Sequence, residues 1–435
     1  MIYLLYFMKV YFETYGCAAN FNDTEIMKGL LVKEGFEITD KIENADLLII
    51  NTCNVKVPTA NRMIERVKKL YSFGKPLIIA GCMAKTERER LEKIAPKASF
   101  IGPNSVLKIV DVAKETLKGK KVVFVEDLDI PKLGYPRISR NPIIGIAQIS
   151  QGCLGNCSYC IVKFSRGRLK SYPLDLIVKE VENLVKNGKK EIWITSQDNA
   201  VYGFDIGLNL AKLLEKIVEI NGNFWIRIGM MNPAFLSNFL DELIEVYKNE
   251  KIFKFVHLPV QSGSNKVLRD MKRGYTVEKF IEIVEKFRKE IKDITIATDI
   301  IVGYPTEKEE DFEQTIELIE KIKPDIVNIS KFGARPLTEA SKLKQLDPRI
   351  INERSKVLYN LVRKISFENN QKWLGWKGKA LVDEIKEENK FVARNFAYKS
   401  IFLESKEKIF GKFVEVKVEK VFSNFLSAKL SRIFS

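Results

Sequence analysis

A chain of 435 residues with one histidine has little from which to build a histidine-rich metal centre, and His257 stands in an apolar run where a satisfied core position accounts for it. Long hydrophobic runs are absent too: nothing approaches the roughly 20 consecutive apolar residues that a membrane span needs, so no membrane partner is expected. The opening Met1-IYLLYF is apolar, but it is too short for a secretory signal and has no basic start. It reads as strand material, or as sequence upstream of a true start at Met8. Without an export signal the protein is expected in the cytoplasm, where its six cysteines serve metal binding or catalysis rather than disulfides. Acidic residues are outnumbered, 56 against 72 Lys and Arg, leaving a formal charge of +16. Such a field gathers polyanions, nucleic acid first. A solvated lysine-rich surface explains the same charge.

A hydrophobic content of 46% with 29% charged residues belongs to a soluble globular chain, and the length implies two or three domains. Over residues 1–130 short apolar runs (Lys9-VYFETYG, Ala45-DLLIIN, Lys75-PLIIAG, Lys121-VVFVED) alternate with amphipathic stretches. That pattern predicts a parallel sheet covered by helices, of Rossmann or flavodoxin-like type. A Pro- and charge-rich stretch from Glu126 reads as a linker. Over residues 140–370 six further strands begin near Ile144, Glu191, Phe224, Phe253, Ile294 and Asp325, each followed by a helical segment. Six β/α units in a row predict a partial barrel with its site at the C-terminal strand ends. Residues 372–435 alternate Val, Phe and Lys as a small antiparallel β-barrel does, with 14 Lys and Arg against 8 Asp and Glu. Basic and aromatic side chains on such a barrel suit single-stranded or looped RNA; an ordinary solvated barrel has the same composition.

The cysteines fall into two triplets. Gly152-CLGNCSYC sets Cys153, Cys157 and Cys160 at C-x3-C-x2-C directly after a strand, with glycines that let a tight loop wrap a compact group. Zinc would want a fourth Cys or His nearby, and there is none. Three thiolates on a 4Fe–4S cube leave one iron open, able to hold the amino and carboxylate groups of S-adenosylmethionine (SAM) for reductive cleavage. Cys17, Cys53 and Cys82 are dispersed, yet each ends an apolar strand beside small or turn-forming residues. Parallel strand ends converge on one crevice, so these three can form a second three-cysteine cluster site; three buried structural thiols are the alternative.

Tyr15-GCAAN, Asn51-TCNVK, Ala80-GCMA, the loop at 153–160 with Phe164-SRGRLKSYP, His257-LPVQSGSNKVLRDMKRGYT and Thr298-DIIVGYP together resemble the radical SAM methylthiotransferases, and the last segment resembles the RNA-binding TRAM domain. Ser171-YP, Glu191-IWITSQDNAVYGFDIG and Gly229-MMNP are most similar to the archaeal and eukaryotic branch. The resemblance implies methylthiolation at C2 of N6-threonylcarbamoyladenosine beside the anticodon of tRNA. It implies two 4Fe–4S clusters on the six cysteines, with SAM both methylating a cluster-held sulfur and furnishing the radical that takes hydrogen from the base. It also implies a low-potential electron donor and a sulfur source, and a monomer is expected. Tyr159 could stack on the SAM adenine or simply pack its loop. Gln261, Ser262, Thr298 and Asp299 lie at strand ends where SAM needs polar partners, or where structural hydrogen bonds form. Arg335 is a candidate phosphate or substrate contact. Two departures mark this chain: Thr306-Glu307-Lys308 where the family has Gly-Glu-Thr, and Leu337-Thr338-Glu339-Ala340 where it has Gly-Thr-Pro-Ala after Arg-Pro. Other readings are the family's protein-modifying branch, acting on a ribosomal-protein aspartate, and a non-catalytic iron–sulfur or RNA-binding protein.

Overall fold

The computed structural model describes residues 8–434, so the opening stretch read as strand or leader to Met8 lies outside the described residues. The first sheet contains β1 (Lys9–Thr14), β2 (Glu37–Thr39), β3 (Leu47–Thr52), β4 (Leu77–Gly81), β5 (Ser99–Ile101) and β6 (Val123–Phe124), all parallel, in the order β2-β1-β3-β4-β5-β6. Helices cover both faces. Leu48 and Ile50 of β3 enter one core, while Leu47 and Ile49 enter the other. This two-sided burial is why β3 and β4 read as unbroken apolar runs. The sequence pattern anticipates four of the six strands. β2 and β5, three residues each, are too short to show a period.

The second unit has β7 (Ile144–Gln148), a small hairpin of β8 (Ser150–Gln151) with β9 (Lys170–Ser171), then β10 (Glu191–Thr195), β11 (Trp225–Ile228), β12 (Phe255–His257), β13 (Thr295–Val302) and β14 (Ile326–Lys331). The long strands form two parallel triples, β11-β10-β7 and β12-β13-β14, joined at their seam by a bridge between Ile226 and Ile252. The result is the expected partial barrel, with helices packed outside in one large core. Its open side, between β7 and β14, is covered by the first unit. The helix Ala18–Lys33 lies on β7, where Asn22 Nδ2 donates to Gln148 Oε1 at 3.3 Å. Val57 packs against Gly333 so closely that a side chain there would meet its Cγ2 at 2.6 Å.

The stretch after Glu126, read as a linker, is a strap. Lys132 is buried with its ammonium 2.6 Å from Asp23 Oδ1 and 2.6 Å from the Pro103 carbonyl. Arg137 reaches Asn22 and, at 2.7 Å, Glu180. Its Pro and charge content mimics a linker, but the charges are spent on internal pairs.

The third unit is a closed barrel of β15 (Lys377–Glu387), β16 (Lys390–Asn395), β17 (Ser400–Glu404), β18 (Phe413–Val421) and β19 (Leu426–Ile433), ordered β15-β16-β17-β19-β18. It is joined to the central barrel by the helix Pro348–Gln371. Leu381 and Phe413, with half-buried Tyr398, share an apolar cluster with Trp225, Phe253, Phe255 and Ala297. The small barrel is therefore the floor of the large one. No helix among the described residues is long and apolar enough to cross a membrane.

Candidate functional site

β1, β3 and β4 are neighbours in the first sheet, and Cys17, Cys53 and Cys82 each follow the C-terminal end of one of them. Asn20 sits among the three. Its Oδ1 lies 4.0 Å from Cys17 Sγ and 3.9 Å from Cys82 Sγ, while its Nδ2 donates to the carbonyls of Tyr15 and Thr52, the residue before Cys53. Gly16 brings the Cys17 turn onto Cys53: at φ +116° it holds a conformation that favours glycine, and a β-carbon there would stand 2.8 Å from Cys53 Cβ. Cys53 and Cys82 are buried and Cys17 is exposed, so the site has one open side.

The second triplet lies on the loop after β8. Gly152 N donates to Gln197 Oε1 at 2.7 Å. Gly152 takes φ +74°, where a β-carbon would fall 1.8 Å from the Arg168 carbonyl. Gly155 abuts two sulfurs: a β-carbon there would be 3.3 Å from Cys153 Sγ and 3.8 Å from Cys157 Sγ. Arg273 Nη1 donates to Cys157 Sγ at 3.2 Å, and its Nη2 holds Asn232 Oδ1 and the Pro259 carbonyl. Burial alone would lower the Arg273 pKa, but the Tyr159, Tyr275 and Cys157 side chains hold it well above the usual value. Asp198 is buried beside this loop, accepting from the backbone N–H groups of Ala200 and Asn232. Burial pushes its pKa up to about 6, against the pull of those donors and of Arg273.

Arg166 joins the two triplets. It ends the short helix Val162–Arg166 that follows Cys160, and its side chain crosses into the first unit. Nη2 donates to Asn20 Oδ1 at 2.7 Å and pairs with Asp23 Oδ2 at 2.9 Å. Nη1 is buried with no partner among the described residues. Burial alone would lower the Arg166 pKa; Asp23, then Cys82 and Cys17, raise it far above the usual value.

Among the predicted cofactor contacts, Asp299 faces the lumen, accepting from Asn328 Nδ2 at 2.8 Å and paired with His257 Nε2 at 2.9 Å. His257 is thus a polar wall residue rather than a core one. Gln261 lies at φ +76° with Oε1 buried and unpartnered, as a ligand-binding amide would be. Thr298 Oγ1 is committed to the Leu258 carbonyl and Val260 N–H, and Ser262 Oγ to Ser264 N–H. Tyr159 packs beside Val267, Met271 and Tyr304, its hydroxyl 3.4 Å from Arg273 Nη1. Arg335 does not face an RNA surface: it is buried in an ion pair with Glu87 of the first unit. Of the two departures, Glu307 still anchors its turn through Gly303 N–H and Arg354. Leu337 is exposed at φ +68°, a glycine-favouring conformation at the position where the family carries glycine.

The donor chemistry fits iron–sulfur clusters. Burial pushes the Cys53 and Cys153 thiols up to about 12 and Cys160 to about 11, so without a metal each keeps its proton, which ligation to a cluster must displace. Among the described residues no three His, Cys, Asp or Glu are gathered tightly enough to share one metal ion. A cuboidal cluster binds its thiolates on separate irons and needs them spread. The orphaned Arg166 N–H beside Cys82 and Cys17 is the donor that an anionic cluster would satisfy.

Residues 147–319 match the Radical SAM superfamily, 9–102 the uncharacterized protein family UPF0004, and 377–431 the TRAM domain. A probable threonylcarbamoyladenosine tRNA methylthiotransferase of Pyrococcus horikoshii is 42% identical over 415 residues, covering 95% of this chain and 97% of that relative. The chain belongs to this methylthiotransferase family. The human threonylcarbamoyladenosine tRNA methylthiotransferase is 36% identical over 94% of this chain and 72% of its own length. As a radical SAM methylthiotransferase, the chain shares its fold with TsrM from Kitasatospora setae, a radical SAM methyltransferase solved with cobalamin and a 4Fe–4S cluster. That likeness covers 77% of each chain at TM-score 0.59 and 16% identity. A radical SAM enzyme of this family uses a 4Fe–4S cluster and SAM. Sequence reasoning did not single out Arg166, Arg273 or Asp198. All three stand inside quoted stretches, SRGR, MKRGYT and SQDNA, where only their position in a motif marks them.

Proposed function

We propose that this chain methylthiolates C2 of N6-threonylcarbamoyladenosine in tRNA, with one cluster on Cys153, Cys157 and Cys160 and another on Cys17, Cys53 and Cys82. The observation that carries this reading is the meeting of two three-thiol sites across Arg166 at the top of one barrel lumen. The first cluster supplies one-electron chemistry at bound SAM, and the second supplies a sulfur that can be transferred.

The chain's own residues set the conditions for that chemistry. Arg273 donates to Cys157 and fixes Asn232, tying the loop to the ends of β11 and β12. Asp198 fastens the adjoining turn through two backbone N–H groups. Asn20 and Arg166 hold the dispersed thiols to the barrel, so both sites address one substrate without domain motion. The helix Ala18–Lys33 and the terminal barrel close the lumen's side and floor, which keeps water from a reactive radical. An unactivated aromatic C–H offers no acid–base handle, so radical chemistry suits C2. The basic TRAM barrel supplies sequence-independent affinity for tRNA. A low-potential electron donor and a sulfur source complete the scheme, with the enzyme acting as a monomer in the cytoplasm.

The deciding measurement is mass spectrometry of tRNA nucleosides from cells lacking the protein: the 2-methylthio derivative should vanish and threonylcarbamoyladenosine accumulate. Anaerobically reconstituted enzyme should hold about eight irons. The Cys17→Ala, Cys53→Ala, Cys82→Ala variant should hold about four, still cleaving SAM but giving no methylthiolated product. One zinc and no iron would defeat the reading.

A further inference from the structure

Toward the floor of the central barrel, a cavity of about 440 Å³ runs from the barrel wall to the terminal barrel. That volume is typical of small-ligand sites, about 300–1,000 Å³. Four basic side chains on its wall can be compared by what they already hold. Lys399 is paired with Asp325 at 2.7 Å and with Asn370 at 3.1 Å. Arg394 holds Asp383 at 3.3 Å and the Ser400 hydroxyl. His257 is paired with Asp299. Arg227 alone makes no hydrogen bond or ion pair among the described residues, and its Nε is buried with no partner.

Its surroundings explain how an unpaired cation persists there. The guanidinium lies 5.5 Å from the Trp193 ring centre and 5.3 Å from those of Phe255 and Tyr398. Ring faces stabilise the charge without using its N–H groups, and the residue lines the cavity. The rings themselves are fixed: Trp193 Nε1 and Tyr398 Oη both donate to Glu191 Oε1, at 2.5 and 3.1 Å. A rigid guanidinium with its donor fork vacant is complementary to a planar anion, a carboxylate above all.

We propose that Arg227 binds the carboxylate of the threonylcarbamoyl side chain and so selects the modified adenosine over the bare one. This inference rests on the proposed function. The threonyl group carries one carboxylate, which must be matched if the base enters this lumen. Arg227 stands two positions before Gly229, the first residue past β11, so it lies about 7 Å down the strand from the loop in which Arg273 holds Asn232. That drop leaves room for an adenine ring between the reacting atom and the guanidinium. The cavity reaches Ser423 and Phe425 in the turn between β18 and β19, beside the stacked rings of Phe422 and Phe425, 4.4 Å apart. A flipped-out nucleotide can therefore be passed from an aromatic, RNA-facing rim to the cation inside. SAM also carries a carboxylate, so the test must separate the two sources.

The test uses reconstituted full-length enzyme and an anticodon stem-loop RNA bearing threonylcarbamoyladenosine, beside the same RNA with the threonyl carboxylate methyl-esterified. Wild type should prefer the acid over the ester by roughly 10- to 100-fold in kcat/KM, the scale of a charge-assisted hydrogen-bond pair. Arg227→Gln should lose turnover of the acid and bring the ratio near one. Arg227→Lys, which keeps the cation but not the fork, should fall between and carries the comparison if the glutamine variant does not fold. Equal use of acid and ester by wild type would overturn the inference while leaving the proposed reaction standing. So would an equal loss on both RNAs in the variants, or weaker SAM binding by equilibrium dialysis, which would assign the guanidinium to SAM. Turnover of neither RNA by wild type would defeat the proposed reaction and this inference with it.

Discussion

Asp23 is fully buried with Arg166 and Lys132, one carboxylate between two cations from different parts of the chain. Removing Lys132 leaves the buried Asp23 Oδ1 and the Pro103 carbonyl without their donor, at a cost of about 1–3 kcal/mol. Lys132→Met should therefore lower the thermal midpoint and loosen iron held by the first three cysteines, read by calorimetry and iron content. No change in either would mean the triad is structurally idle. Leu337 should respond in the opposite sense. Its side chain is exposed and its φ is +68°, so Leu337→Gly should raise stability by up to about 1 kcal/mol; a destabilised variant would show hidden packing. The placement of the two cysteine triplets was legible because spacing and strand ends are local signals. The roles of Arg166, Arg273 and Arg227 were not, since each is defined by partners more than a hundred residues away or by having none. Arg335 shows the reverse error: a basic residue near a site motif read as a phosphate or substrate contact, although its charge is spent on Glu87.

Among the elements, the loop after β8 depends on Gly152. A β-carbon 1.8 Å from the Arg168 carbonyl cannot be accommodated without moving the loop, so Gly152→Ala should lose the iron of the Cys153 site and with it SAM cleavage. Intact cleavage in that variant would show that the loop tolerates displacement. The join between β15 and the central barrel carries a different signal. Asp383 is pushed up to about 7 by burial and by Glu191, with Arg394 opposing. A carboxyl raised in the folded state contributes stability that is full below its unfolded pKa near 4 and lost as pH rises through 7. Asp383→Asn, which cannot ionise, should gain thermal midpoint relative to wild type as pH goes from 4 to 8. A constant difference across that range would refute the assignment. All six strands of the central barrel were visible from apolar runs between helices. The strap was misread because proline and charge look the same whether solvated or paired.

At the scale of the molecule, the terminal barrel presents an exposed basic face. Lys417 and Lys429 stand opposite each other on β18 and β19, both exposed, a like-charge pair that costs stability on its own. Lys417→Gln with Lys429→Gln should weaken tRNA binding and flatten its logarithmic salt slope by about 1.4–1.8, the share of two neutralised phosphate contacts. An unchanged slope would remove this face from RNA binding. The same small barrel is not detachable. Leu381 and Phe413 share a core with Trp225 and Phe253, and Lys399 is buried against Asp325. At the other end, Arg335–Glu87 and Arg166–Asp23 couple the first sheet to the central barrel. Three family segments follow one another along the chain, yet melting should give a single calorimetric peak rather than three. Heredity follows the same lines of force: a segment exchanged with a relative would arrive without its counter-ions, so the partners at 23, 87, 166, 325, 335 and 399 must be inherited together.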